Sequence, residues 1–146
     1  METEEIQPGL VYKDVNIKVF CFQVEHGEWE SLGYRIEIKD KIVVISGDTI
    51  PCASLIENAK GCDILIHEVY STSALKKKST HWNNYHSSMH TSSVELGKIA
   101  AKINPSKLVL YHQLYWTGSD KDILADIRNS FTGEIISAKD LLEIEL

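Results

Sequence analysis

The chain has 146 residues, 43% hydrophobic and 25% charged, which suits one domain over residues 1–146 that buries its own core. Its net charge of −6 argues against a strong nucleic-acid-coating surface, because the phosphate backbone rewards clustered Lys and Arg. The one basic run, Lys76-Lys77-Lys78, reads as a solvated loop.

The first forty residues read as strands. Ile17-Lys18-Val19-Phe20-Cys21-Phe22-Gln23-Val24 is rich in β-formers, and Tyr34-Arg35-Ile36-Glu37-Ile38 alternates, with one face toward solvent. Lys39-Asp40-Lys41 makes a polar turn. Ile42-Val43-Val44-Ile45-Ser46 is then a continuous apolar run, the pattern of a strand covered on both faces.

From there strands and helices alternate. Pro51 suits a first helical position, Leu55, Ile56 and Ala59 give the helix an apolar stripe, and Gly61 can close it. Asp63-Ile64-Leu65-Ile66-His67 is a second buried-type strand. Residues 70–90 are polar and read as a long loop. Residues 92–103 form a helix with Leu96, Ile99, Ala100 and Ile103 on one face, ended by Pro105. Leu108-Val109-Leu110-Tyr111-His112 is a third buried strand. Ser119 and Asp122 make a capping pattern for a helix presenting Ile123, Leu124, Ile127 and Phe131, and Glu134-Ile135-Ile136-Ser137 is a last short strand. The expected class is α/β, strands first and then alternating strands and helices packed on a sheet.

Three of the buried strands end in residues able to bind metal or move protons. The first runs into Gly47-Asp48-Thr49, the second into His67-Glu68, the third into His112. Ligands of α/β folds gather beyond the C-terminal ends of strands, so one shared edge is expected. Singly, each residue has a plainer explanation, since Gly-Asp-Thr is a common helix-capping turn and a lone His is commonly a core residue. Together they suit a metal site, since Asp and His both coordinate zinc and a carboxylate can bridge two ions about 3.5–4 Å apart. The run from His81 through Tyr85 and His86 to His90 is either a metal cluster or a polar lid with aromatic contacts to substrate. His26-Gly27 follows another strand and is either a structural turn or part of the same edge.

Cys21, Cys52 and Cys62 are odd in number and include no Cys-x-x-Cys pair, which predicts free thiols in a reducing compartment rather than a disulfide framework. No apolar run approaches the ~20 residues that cross a bilayer. Met1-Glu2-Thr3-Glu4-Glu5 is acidic where a secretory signal is basic and then apolar. The expected setting is cytoplasmic, without membrane association.

Taken in order, Ser46-Gly47-Asp48-Thr49, Ile64-Leu65-Ile66-His67-Glu68, His90-Thr91-Ser92 and Leu108-Val109-Leu110-Tyr111-His112 resemble the metallo-β-lactamase superfamily, in particular its ribonuclease Z and arylsulfatase-like hydrolases. Val24-Glu25-His26-Gly27 leading into Gly33-Tyr34-Arg35 fits the same branch. Tyr111-His112-Gln113-Leu114-Tyr115-Trp116 leans toward the arylsulfatase-like side. The resemblance implies the C-terminal half of an αββα fold and a metal-dependent hydrolase of phosphate or sulfate esters, acting on a small-molecule or nucleotide ester.

It also implies roles. Asp48 is the carboxylate that bridges two zinc ions, and His112 is a ligand of the second ion. Glu68 and His90 form a proton-shuttling pair, while His26 approaches the substrate; if the 81–90 run is a lid, His86 and Tyr85 contact the substrate too. His67 supports its strand. The superfamily signature His-x-His-x-Asp-His occurs nowhere in this sequence. The resemblance therefore implies a two-zinc site that is incomplete without an N-terminal half. Three origins fit that departure: a fragment or split product, a chain completed by a partner (an N-terminal half or a homo-oligomer), or a degenerate relative. The alternative function is a non-catalytic truncated relative acting as a subunit or binding module.

Overall fold

The computed structural model describes residues 5–146. Seven strands form one sheet in sequence order: β1 (Gly9–Lys13), β2 (Ile17–His26), β3 (Trp29–Ile38), β4 (Lys41–Ile45), β5 (Ile64–Tyr70), β6 (Lys107–Leu114) and β7 (Glu134–Ser137). The pairs from β1 to β4 are antiparallel, and those from β4 to β7 are parallel. The antiparallel part follows from short polar turns, such as the one at Lys39, which adopts φ 54°. The parallel part needs crossovers, and these supply the helices α1 (Ala53–Asn58), α2 (Thr72–Leu75), α3 (Thr80–Ser87), α4 (Ser93–Ile103) and α5 (Asp120–Arg128).

Residues adjacent on a strand point to opposite faces, so the continuous apolar runs feed two cores. Val44, Leu65, Leu108 and Leu110 join Leu55, Leu96, Ile99, Ile123, Ile127 and Phe131 in the larger core, under α1, α4 and α5. Val43, Ile64 and Val109 face the other way, with Ile36, Ile66, Ile136 and Ile144 around them. The segment after β7 lies along this second face, and Lys107 Nζ donates to the Glu145 carbonyl at 2.7 Å. Helices α4 and α5 cross closely because Gly97 lacks a side chain. A Cβ there would lie 2.9 Å from the Ile127 carbonyl oxygen.

Helix ends follow local chemistry. Ser92 and Glu95 form a capping box on α4, Ser119 and Asp122 form one on α5, and Asn104 closes α4 at φ 54°. Helix α1 begins after Cys52, so Pro51 precedes the cap instead of opening the helix. The segment 70–90 differs from the expected loop, since it holds the end of β5 and the helices α2 and α3. Ser71 and Ser79 cap these helices, and Ala74 and Leu75 are buried beneath the first. Its polar composition hides helices too short to show an apolar stripe. The three cysteines are free and buried, and burial pushes the Cys62 thiol up to about 11. Among the described residues, no helix is long and apolar enough to cross a membrane.

Candidate metal and proton-transfer site

The parallel neighbours β4, β5 and β6 bring their C-terminal ends to one edge, as the strand-end pattern predicts. Asp48 leaves β4 through Gly47, which adopts φ 65°. A Cβ on Gly47 would lie 2.4 Å from the Leu32 carbonyl oxygen, so glycine is required at this turn. Asp48 does not cap α1, whose N-cap Cys52 accepts no side-chain bond. Its carboxylate faces His112 instead, with Oδ1 3.1 Å from Nδ1.

His112 owes its position to a bulge. Glu68 pairs with Tyr111 and the next residue, Val69, pairs with Gln113, so His112 is the extra residue of β6. Its φ is 43°. A bulge turns a side chain out of the strand's alternation, and a non-glycine residue held in this region costs about 1–3 kcal/mol.

His90 lies between α3 and α4, not on a strand. The Tyr70 amide donates to the Thr91 carbonyl at 3.0 Å, and a parallel bridge joins Tyr70 to Ser92. Those contacts seat His90 beside the end of β5. One donor atom each from Asp48, His90 and His112 lies within 4.8 Å of the others. Asp and His both coordinate zinc and other divalent cations, so Asp48 and His112 can hold an ion with His90 beside it. The Asp48 and His112 side chains are 36% and 41% exposed, so the group opens to solvent on their side.

Glu68 is fully buried beneath this group. Its Oε1 accepts the amides of Thr49 at 3.2 Å and Thr91 at 3.0 Å, and lies 3.3 Å from His90 Nδ1. The Thr91 hydroxyl donates to the Thr49 carbonyl at 2.6 Å. One carboxylate thus ties together the turn that carries Asp48 and the turn that carries His90. Oε2 of Glu68 and Nδ1 of His90 are buried without a hydrogen-bond partner. His67 stands apart from the donor group: Nδ1 donates to the Glu68 carbonyl at 2.6 Å, and burial holds the ring below the usual histidine range.

The remaining candidates divide. His26 Nδ1 donates to the Met89 carbonyl at 2.6 Å, and its ring stands edge-on to His90 with centroids 4.9 Å apart, so His26 braces His90. His86 is buried on α3 and stacks on His90 at 5.8 Å. Burial first, and then the neighbouring His90, lower its pKa below the usual range. Tyr85 is exposed beside it. His81 is exposed on α3 and belongs to no metal-competent group among the described residues. The backbone amides of Thr49 and Thr91 and the ring of Trp116, which meets His86 at 4.9 Å, were not singled out from the sequence.

Comparison with known proteins identifies the family. Residues 2–113 match the family model described as the β-lactamase superfamily domain, a span that contains Asp48, Glu68, His90 and His112. Ribonuclease Z of Methanosarcina acetivorans is 32% identical over 107 residues, covering 73% of this chain and 33% of the relative. Ribonuclease Z of Mycobacterium sp. (strain KMS) is 28% identical over 153 residues, covering all of this chain and 52% of the relative. The chain therefore spans about half the length, or less, of these relatives. Among solved structures, the metallo-β-lactamase fold protein YhfI from Bacillus subtilis superimposes with a TM-score of 0.74 at 23% identity, over 92% of this chain and 52% of that one. Human tRNase Z, short form, gives 0.64 at 21% identity, over 93% and 44%. The structural likeness shows the fold alone: an α/β sheet of the metallo-β-lactamase type.

Proposed function

The chain belongs to the β-lactamase superfamily, and on that premise we propose that it forms one side of the catalytic centre of a zinc-dependent phosphate-ester hydrolase. The observation that carries this reading is the convergence of Asp48, His90 and His112 within 4.8 Å above a buried Glu68. The name ribonuclease Z, borne by the relatives, supports a phosphodiester rather than a sulfate ester. A second segment carrying His-x-His-x-Asp-His, from an N-terminal half, completes the site.

Asp48 and His112 would hold the metal, and a bound divalent cation would polarise the ester and lower the pKa of a water so that its hydroxide could attack. His90 delivers a proton to the departing oxygen as its bond to phosphorus breaks. Glu68 faces His90 Nδ1, which leaves Nε2 for the substrate side. The buried carboxylate sits 3.3 Å from Nδ1 and limits how the ring can turn, and positioning of this kind is required of a general acid. His26 keeps that ring from turning, through its bond to Met89 and its edge contact.

The absence of His-x-His-x-Asp-His from the sequence favours a second reading, a non-catalytic subunit. Zinc content and hydrolysis of bis(p-nitrophenyl) phosphate, p-nitrophenyl phosphate and an aryl sulfate separate the two. The assay is run alone and with the N-terminal half of the Mycobacterium relative. Phosphodiester turnover that Asp48→Ala abolishes supports the hydrolase. Folded protein with no turnover in either arrangement supports the subunit.

A further inference from the structure

Beside the metal-competent group runs a continuous set of aromatic rings that the chemistry above does not use. Trp116 meets Tyr70 at 6.0 Å and His86 at 4.9 Å between centroids. His86 in turn meets Trp82 at 4.6 Å and Tyr85 at 5.1 Å, and Trp82 and Tyr85 lie 6.4 Å apart. The set adjoins the reacting side of the site because His86 stacks on His90.

Three observations set this group apart from ordinary core. Trp82 and Tyr85 are 42% and 49% exposed, so two large rings face solvent on one short helix. They lie one turn apart and present flat surface rather than filling the interior. His86 is only 9% exposed, yet neither ring nitrogen has a hydrogen-bond partner. Buried polar atoms are normally paired, and an orphan of this kind marks a place that a ligand can complete. Trp116 is held at φ 47°, a backbone region that a bulky residue rarely occupies. Held positions of this kind cluster at ligand clamps.

We propose that these rings form a binding wall for a planar aromatic group on the leaving-group side of the substrate. The proposal rests on the hydrolase reading for what the ring is attached to, and on the aromatic geometry for the ring itself. His90 protonates the departing oxygen, and the wall begins at the ring stacked on His90. A ring carried by the leaving group therefore reaches Trp116, Tyr85 and Trp82, while the phosphate stays at Asp48 and His112. Stacking on aromatic side chains is sequence-tolerant and strong enough to change affinity about tenfold per ring. An aryl ester and a nucleotide both supply such a ring.

Binding of ring-only and phosphate-only probes tests the wall apart from the hydrolase reading. The ring-only probes are p-nitrophenol and adenosine; the others are p-nitrophenyl phosphate, adenosine monophosphate and glycerol phosphate, all with zinc present. Indole N–H signals of 15N-labelled protein report the contact, with Trp29, exposed at the β2–β3 turn, as the internal control. The expected result is that ring-only probes shift Trp82 and Trp116 and leave Trp29 unmoved. Ring-bearing phosphates bind about tenfold tighter than glycerol phosphate, and Trp82→Ala with Tyr85→Ala removes that advantage without changing glycerol phosphate affinity. A preference for p-nitrophenyl phosphate assigns an aryl ester, and a preference for adenosine monophosphate assigns a nucleotide. Equal affinity for ring-bearing and ring-free phosphates overturns the proposal. So does a shift of Trp29 as large as those of the other two, or no response to either ring-only probe. Failure of glycerol phosphate alone to bind counts against the phosphate reading and leaves the ring-only result to decide the wall.

Discussion

Oε1 of Glu68 lies 3.3 Å from Nδ1 of His90 and, at the same time, accepts the amides of Thr49 and Thr91. A group proposed for proton transfer is therefore also the clasp between two site-bearing turns. The two roles separate by substitution. Glu68→Gln keeps an acceptor oxygen for the two amides, and its stability should stay within about 1 kcal/mol of wild type. Glu68→Ala leaves two buried N–H groups unpaired and should cost about 1–3 kcal/mol for each. In the complete assembly both should lower ester hydrolysis by about 10²–10⁴-fold. Urea denaturation and turnover check the two halves of the expectation. Equal destabilisation by Gln and Ala would refute the clasp.

His112 makes a similar division between folding and function. Its φ of 43° suits glycine better than histidine. For His112→Gly the relief of backbone strain opposes the added entropy of the unfolded chain, so stability should change by less than about 1 kcal/mol. His112→Val places a β-branched residue in the same backbone region and should destabilise by about 1–3 kcal/mol. Both variants should lose zinc affinity, measured by competition with a chromophoric chelator. A His112→Gly protein that binds zinc like wild type would remove His112 from the ligand set.

The buried His67 gives the fold an acid sensitivity of known sign. Burial lowers its pKa below the ordinary 6.5, so the folded chain resists protonation of this ring. Near and below pH 6.5 the unfolded chain takes up a proton that the folded chain refuses, so stability rises with pH there. The contribution is complete above about pH 6.5 and is lost as pH falls from there through the folded pKa, by up to about 1.4 kcal/mol per unit. His67→Phe should flatten that part of a stability curve measured by urea denaturation between pH 7 and 5. An unchanged slope would mean that another group carries it.

Residues after β7 cover the second sheet face, where Ala138 and Ile144 pack near Val43, Ile64 and Val109. Deleting residues 139–146 should expose an apolar patch and promote self-association, read by sedimentation velocity. Adding Ile36→Asp to the deletion should reverse that gain in self-association. A deletion variant that associates no more than the full chain would show that the face needs no cover.

Much of this protein was legible along the chain. Apolar runs 42–46, 63–67 and 108–112 marked the strands with two buried faces, and Asp48, Glu68 and His112 at their ends marked the edge. The apolar face of Leu96, Ile99, Ala100 and Ile103 marked α4, and Ser119 with Asp122 marked the start of α5. These signals are local, since periodicity and capping depend on residues a few positions apart. What the tertiary structure decided is longer in range. The clasp at Glu68 joins amides 19 and 23 positions away, and His112 meets Asp48 because the β5–β6 register slips by one residue. The stack of His86 between Trp116 and His90 likewise depends on where α3 docks. Register, bulges and helix docking are set by the packing of the whole sheet, so the sequence by itself determined which residues could meet, and only the fold decided which of them do.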